Sequence, residues 1–552
     1  MMKKIIAATI GNCVHVAGIM NFLSLAEKEG YDTRFLGAAI SIDELLSAVK
    51  AEKPEYVGVS YRLTPEPLKE VLKELGEKIK EENLEGFKWI FGGTEPTARV
   101  AEESGLFYKV FGGMEDVDDV IGFLKGRKLS EAEYYARDLI SRIKSKYPYP
   151  ILRHHLGLPT VAETVASIEK IAESKVLDVI SVAPDQNAQE HFFEQDKMDH
   201  RMDGAGGVPV RSRKDFQALY SAAQRGNFPL LRCYSGTNDL IPFAELLQDT
   251  IKNAWCAVPL CWYNVLDKRG PRAVEESIRE NQQVMKWHGE RNIPVEVNES
   301  HHWSLRDAHD TIGVVTAYLA AYNAKKMGVK DYIAQYMFNV PPSISPKMDL
   351  AKMLAKIELI ESLQDDSFRV YRQARAGLAS FPGDLSQAKG QLASSAYLAM
   401  AIKPHIYHVV GYCEAHHAAT ADDIIESCRI VRGVIRNNFL GVVDITKDKE
   451  VQRRKRELIE EAMFTLEAIK GLNPMAEDPL ADAGTIAKAI KIGILDAPHL
   501  KGNPAACGKL TTRLVDGALY AYDTEEKRVL TEKERIERIL EDYDKMPSRA
   551  VI

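Results

Sequence analysis

The chain has 552 residues, 45% hydrophobic and 27% charged, with a formal net charge of -7. That is an ordinary globular composition, which excludes a fibrous or disordered protein, and the acidic balance without a basic stripe argues against a nucleic-acid partner. Seven scattered cysteines with no CxxC pair give no sign of a disulfide framework or a thiolate zinc site. No apolar run approaches the ~18 residues of a membrane helix, so a cytoplasmic protein with no membrane partner is expected.

Residues 1–128 alternate short apolar runs with amphipathic stretches. The opening MMKKIIAATIGN reads as a buried strand rather than a signal peptide, because the apolar run is short and no small-residue cleavage pattern follows. Strands are expected at 4–9, 32–37, 56–60, 88–92 and 108–111, with helices at 19–29, 41–52, 67–83, 97–104 and 117–124. This alternation predicts a doubly wound parallel sheet, which binds its ligand at the carboxyl ends of the strands. Residues 129–150 are charged, end in Tyr-Pro-Tyr-Pro, and read as a linker. From 151 to 445 the alternation resumes on a longer period. Strands are expected at 151–154, 179–183, 230–234, 257–262, 295–298, 332–337, 369–374 and 406–410. Eight βα units in such a length match a (β/α)8 barrel. Residues 446–552 are expected to form a C-terminal helical extension.

The first loop, Gly11-Asn-Cys-Val-His15-Val-Ala-Gly18, places an imidazole at the sheet's carboxyl edge, where it can serve as an axial metal ligand. Gly18 lets a large ligand approach the backbone. Ser60 with Leu63 ends the third strand, and Gly92, Gly93 and Thr94 end the fourth. In this order and spacing the three segments resemble the cobalamin-binding domains of glutamate mutase and methylmalonyl-CoA mutase. There an Asp-x-His-x-x-Gly loop ligates cobalt, and the later segments line a slot for the nucleotide tail. The resemblance implies that His15 is the cobalt ligand and that Gly18, Ser60, Leu63, Gly92, Gly93 and Thr94 contact the cofactor. Cys13 stands where that family has its aspartate, the partner that orients the imidazole. Cys13 is also read as a small buried packing residue.

Most of residues 150–530 resembles the catalytic subunit of adenosylcobalamin-dependent glutamate mutase (methylaspartate mutase). The resemblance is carried in order by 177–181 with Asp185, 206–210, 236–239, Tyr263 with Asn264, 297–299, 328–330, 381–384, Glu414 with Ala415, and 494–498. It implies that cofactor and catalytic parts are fused in one chain, with adenosylcobalamin as cofactor, Glu414 at its ribose, and a homodimer formed through the barrel. It also implies a radical carbon-skeleton isomerase. The glutamate-binding arginines of that family do not carry over. The first falls at or beside His155, the second near Gln189, and only the third corresponds loosely to Arg232. The family's base falls in the strand at 257–261, which has no carboxylate. Tyr263 matches the family tyrosine. A small carboxylic acid other than glutamate is therefore expected as substrate, with Arg232, Tyr263, Glu299 and His155 as site residues. The pairs His154-His155, His301-His302 and His416-His417 are candidates to line the pocket. Three other readings stay open: a corrinoid-dependent methyltransferase, a non-catalytic cobalamin carrier or sensor, and a pyridoxal-phosphate aminomutase. The module beginning at residue 1 counts against the methyltransferase, and the aminomutase lacks an evident Schiff-base lysine.

Overall fold

The computed structural model describes residues 3–113, 115, 117–126 and 135–545. Residues 129–134 of the expected linker and 546–552 of the expected extension lie outside the described residues. The chain divides into two compact units, 1–130 with 439–442, and 131–438 with 443–552.

The first unit is built on five parallel strands: Lys4–Ile10 (β1), Asp32–Ile40 (β2), Tyr56–Tyr61 (β3), Lys88–Gly93 (β4) and Lys109–Phe111 (β5). Their order is β2-β1-β3-β4-β5. β3 is buried at every position, as a strand covered by helices on both faces must be. The order reverses between β1 and β3, and such switch points open a crevice at the strand ends. The loop 11–16 follows β1 at that point.

The second unit is the expected barrel. Its strands are Ile151–Leu156 (β6), Val179–Val182 (β7), Leu230–Cys233 (β8), Cys256–Val258 (β9), Val295–Val297 (β10), Asp331–Phe338 (β11), Arg369–Ala376 (β12) and Ile406–His408 (β13). All neighbours pair in parallel, and β13 returns to β6. The seam between β8 and β9 is closed by two backbone hydrogen bonds, Ala254 N–H to Leu231 O (2.9 Å) and Ser235 N–H to Ala257 O (3.2 Å). The floor is apolar: Ile151, Val179, Leu230, Trp255, Ile333, Tyr371 and Ile406 pack together, with Leu139 and Ile143 against them. Those last two belong to the helix Leu139–Lys146, so this part of the expected linker contributes to the barrel core.

The C-terminal segment is not helical throughout. Besides Lys449–Gly471, Ala483–Ile492 and Glu532–Asp544 it carries an antiparallel sheet, Thr512–Val515 (β14), Ala518–Asp523 (β15) and Arg528–Val529 (β16). Asp516 (φ 49°) and Gly517 (φ 80°) make the two-residue turn between β14 and β15. Asp-Gly between alternating residues is a strong hairpin signal, and here it overrides the helical expectation.

Candidate functional site

In the first unit His15 is exposed, and its Nδ1 lies 3.9 Å from Cys13 Sγ. Cys13 is fully buried and its sulfur accepts the Arg62 N–H at 3.3 Å. The thiol thus occupies the orienting position beside the ring. Nε2 has no protein partner among the described residues. A Cβ built on Gly18 or on Gly92 would meet nothing within 4 Å, so both glycines face open space. Gly93 is different: a Cβ there would press on Tyr61 O at 2.8 Å, so this glycine serves close packing. Ser60 is buried and sits in register with Thr9 on one side and Gly92 on the other. Leu63 is exposed just beyond β3. Thr94 precedes the helix Glu95–Ser104, its N–H donating to Thr97 Oγ1 at 2.9 Å. An accessible imidazole held on one nitrogen, with open backbone beside it at the switch point, fits an axial ligand for a corrinoid.

In the barrel, charged side chains sit above the apolar floor. Arg153, Arg232, Glu296 and Gln373 come from the alternate strands β6, β8, β10 and β12, the pattern of a single barrel layer. All four are buried. Glu296 Oε2 accepts from Trp255 Nε1 (2.6 Å), Arg232 Nη2 (3.2 Å) and Arg153 Nη1 (3.3 Å). Arg153 Nη1 also donates to Gln373 Oε1 at 2.8 Å. Burial pushes the Glu296 carboxyl up, but the two guanidiniums more than offset it and hold the group ionised. Burial, then the Arg232 charge, lowers the Arg153 guanidinium to about 9.

Two residues further along these strands, His155, Tyr234 and Arg375 follow. His155 Nε2 faces Arg153 Nη2 at 2.6 Å and the Tyr234 hydroxyl at 3.0 Å. Facing a permanent donor, this nitrogen is the acceptor, so Nδ1 carries the proton. Burial and then the charges of Arg153, Arg232 and Arg375 keep the ring neutral, well below the usual histidine range. The rings of His155 and His408 are 4.5 Å apart. Arg375 donates through Nε to Ala376 O at 3.1 Å, and among the described residues no carboxylate lies within 4.0 Å of it. The layers therefore set three guanidiniums against one carboxylate. Arg153 Nε, Arg232 Nε and Nη1, and Gln373 Nε2 are buried donors without partners. Orphaned donors of this kind each cost about 1–3 kcal/mol, a cost that an acceptor oxygen from water or a ligand would relieve.

The structure brings Arg232 and His155 together in this chamber. Tyr263 is half-buried at a positive φ of 68°, its ring 5.6 Å from His302, and burial pushes its hydroxyl up to about 12. Glu299 is fully committed elsewhere: it accepts from Leu260 N–H (2.8 Å), Cys261 N–H (2.9 Å) and Trp303 Nε1 (2.7 Å), fixing the loop after β9. Glu414 is exposed in the loop after β13. The histidine pairs split. His155 and His301 feel the arginine charges; burial and then Arg375 take His301 down to about 3. His154 is buried with Nδ1 on the His155 carbonyl, and His302 packs on Trp262. His416 and His417 are exposed. The sequence reading missed Arg153, Glu296, Gln373 and Arg375. Polar side chains interrupting short buried strands, such as Glu296 in Val295–Val297, were the available signal.

His288, on the helix Val274–Glu290, is buried, donates Nδ1–H to Val284 O at 2.8 Å, and is held down to about 4, chiefly by burial. The unfolded chain binds a proton near pH 6.5 that the folded one refuses until about 4, so this group's stability contribution falls as pH drops through that window. His288→Gln is expected to remove about 2 kcal/mol of the stability lost between pH 7 and pH 5. Urea unfolding at both pH values checks this, and an unchanged pH dependence speaks against it.

Residues 3–121 match the family model described as the B12 binding domain. A solved novel cobalamin-binding protein from Desulfitobacterium hafniense DCB-2 is similar at 25% identity and TM-score 0.20, over 22% of this chain and 56% of that one. The cobalamin-dependent S-adenosylmethionine radical enzyme OxsB, solved with aqua-cobalamin and S-adenosylmethionine bound, is similar at 10% identity and TM-score 0.21, over 84% of this chain and 56% of that one. The chain thus spans little more than half the length of either structure, and neither superposes closely enough to inform the barrel. No curated protein matches. The family match therefore stands as the finding: residues 3–121 are similar to B12 binding domains and support a cobalamin-dependent protein.

Proposed function

We propose that this chain, carrying a B12 binding domain at residues 3–121, is an adenosylcobalamin-dependent radical isomerase, a carbon-skeleton mutase acting on a small carboxylic acid other than glutamate. The observation that carries this reading is the chamber's three guanidiniums against one carboxylate, with orphaned donors pointing at no protein acceptor. A non-catalytic carrier has no use for such a costly interior.

When bound, adenosylcobalamin supplies a carbon radical by homolysis of its cobalt–carbon bond. His15 would hold the cobalt, and Ser60, Leu63, Gly92 and Thr94 would contact the nucleotide tail, with Gly93 packing the strand end that carries them. In the barrel, Arg375 and the free edge of Arg232 grip the substrate carboxylate by bidentate, charge-assisted hydrogen bonds. Arg153 is held by Glu296 and Gln373 and keeps the His155 ring in one orientation. Neutral His155 and the Tyr234 hydroxyl offer polar contacts to the reacting skeleton without adding charge. The buried walls exclude water, which a radical requires.

Anaerobic incubation with adenosylcobalamin and a panel of small mono- and dicarboxylic acids tests this. A paramagnetic signal and isomerised product are expected with an acid of the panel, and no 3-methylaspartate from glutamate. Arg375→Ala is expected to raise the KM for the responding acid about tenfold to a hundredfold, the equivalent of ~1.5–3 kcal/mol for a lost charged hydrogen bond. Glutamate turnover above that of every other acid, or an unchanged KM in the variant, overturns the reading of the pocket.

A further inference from the structure

The loop 409–420 joins β13 to the helix Ala421–Leu440. Within it the N–H groups of His416 and His417 both donate to Cys413 O, at 2.7 and 2.9 Å. This turn stacks Cys413 beside His417, and the helix that follows returns Asp423 to the same point. The Cys413 thiol, a His417 ring nitrogen and an Asp423 carboxylate oxygen lie within 4.8 Å of one another. His416 Nδ1 is 2.9 Å from His417 Nδ1. One of the two rings donates in this contact and the other accepts.

The surrounding groups fix the set. Asp423 Oδ2 accepts from Thr420 N–H (3.0 Å), Thr420 Oγ1 (2.6 Å) and His417 Nε2 (3.1 Å), while Oδ1 accepts the Tyr412 hydroxyl at 2.9 Å. Cys413 is fully buried, whereas both histidines reach the surface, so the site has a closed and an open side.

We propose that Cys413, His417 and Asp423 bind a zinc-type divalent cation, with water completing its shell. Tetrahedral zinc, with bonds of about 2.3 Å to sulfur and about 2.0 Å to nitrogen, sets its donor atoms roughly 3.3–3.8 Å apart, which small side-chain rotations reach from here. A thiolate with an imidazole selects zinc over magnesium or calcium. No paired-cysteine spacing announces the site, because the donors are gathered by one turn and the start of the next helix. The site is separate from the cobalamin reading and stands or falls without it.

The test uses full-length, cobalamin-free protein stripped with chelator and then given zinc. About one zinc per chain is expected to stay through desalting, and His417→Ala and Cys413→Ser are each expected to lose at least tenfold in zinc affinity, measured by competition with a chromogenic chelator. Cobalt(II) in place of zinc is expected to show a thiolate charge-transfer band, absent in Cys413→Ser. His417 is exposed, so its variant keeps the test open if the buried cysteine variant fails to fold. Stripped wild-type protein that takes up no zinc, or variants that bind with wild-type affinity, overturn the proposal.

Discussion

Reduced to cobalt(II), the cobalamin-loaded protein is expected to show nitrogen hyperfine splitting from one imidazole, and His15→Ala is expected to abolish it while the nucleotide tail still binds. The imidazole is exposed, follows β1 at the switch point, and has one nitrogen occupied and the other free. A metal ligand needs an accessible ring nitrogen with the ring steadied on its other side, which is what Nε2 and the Cys13 contact provide. The proposed tail contacts, Ser60, Gly92 and Thr94, lie outside the His15 loop, so removing the ring leaves them intact. Cys13 sharpens the test. A thiol is a weak hydrogen-bonding group, and at 3.9 Å it supports the ring less than a carboxylate does. Cys13→Asp is therefore expected to strengthen cobalt ligation about tenfold to a hundredfold, the usual weight of such an orienting partner, seen as a larger fraction of histidine-ligated cofactor in the optical spectrum. Hyperfine splitting that survives His15→Ala would falsify the assignment of this residue.

Glu296→Ala is expected to destabilise the barrel by about 3–5 kcal/mol, the cost of removing one partner from a buried ion pair. One carboxylate oxygen serves two guanidiniums and an indole N–H, all buried. Without it Arg153 and Arg232 keep their charges in a site that water does not reach, and Trp255 loses its acceptor. Glu296→Gln is expected to cost less, since an amide oxygen still accepts the indole hydrogen bond while the charge is gone. Urea unfolding followed by tryptophan fluorescence measures both, because Trp255, Trp262, Trp287 and Trp303 all lie in the second unit and only Trp89 in the first. A midpoint shift worth less than ~1 kcal/mol in the alanine variant would show that solvent already compensates these charges.

These two expectations rest on different kinds of evidence. The loop carrying His15 was legible in the chain because its signal is local: a strand, a loop and a helix within about twenty residues, whose spacing carries the resemblance. The barrel was legible because alternation of apolar runs with helical stretches is a property of neighbours in sequence. The C-terminal hairpin was equally local, since Asp516-Gly517 lies between alternating residues, but the charged helices around it outweighed that signal.

The amino-acid sequence by itself determined the two α/β units, the loop that presents His15 to the sheet edge, and the substitution of Cys13 for an orienting carboxylate. Only the tertiary structure decided which polar side chains meet. Arg153 and Glu296 are 143 residues apart, and Arg153 and Gln373 are 220 apart, yet they share one layer. The period of two along a strand tells which residues face together, but not which face is inside. That phase is set when eight strands close on themselves, and it turned Arg153, His155 and Arg375 inward while leaving Glu299 to anchor a loop.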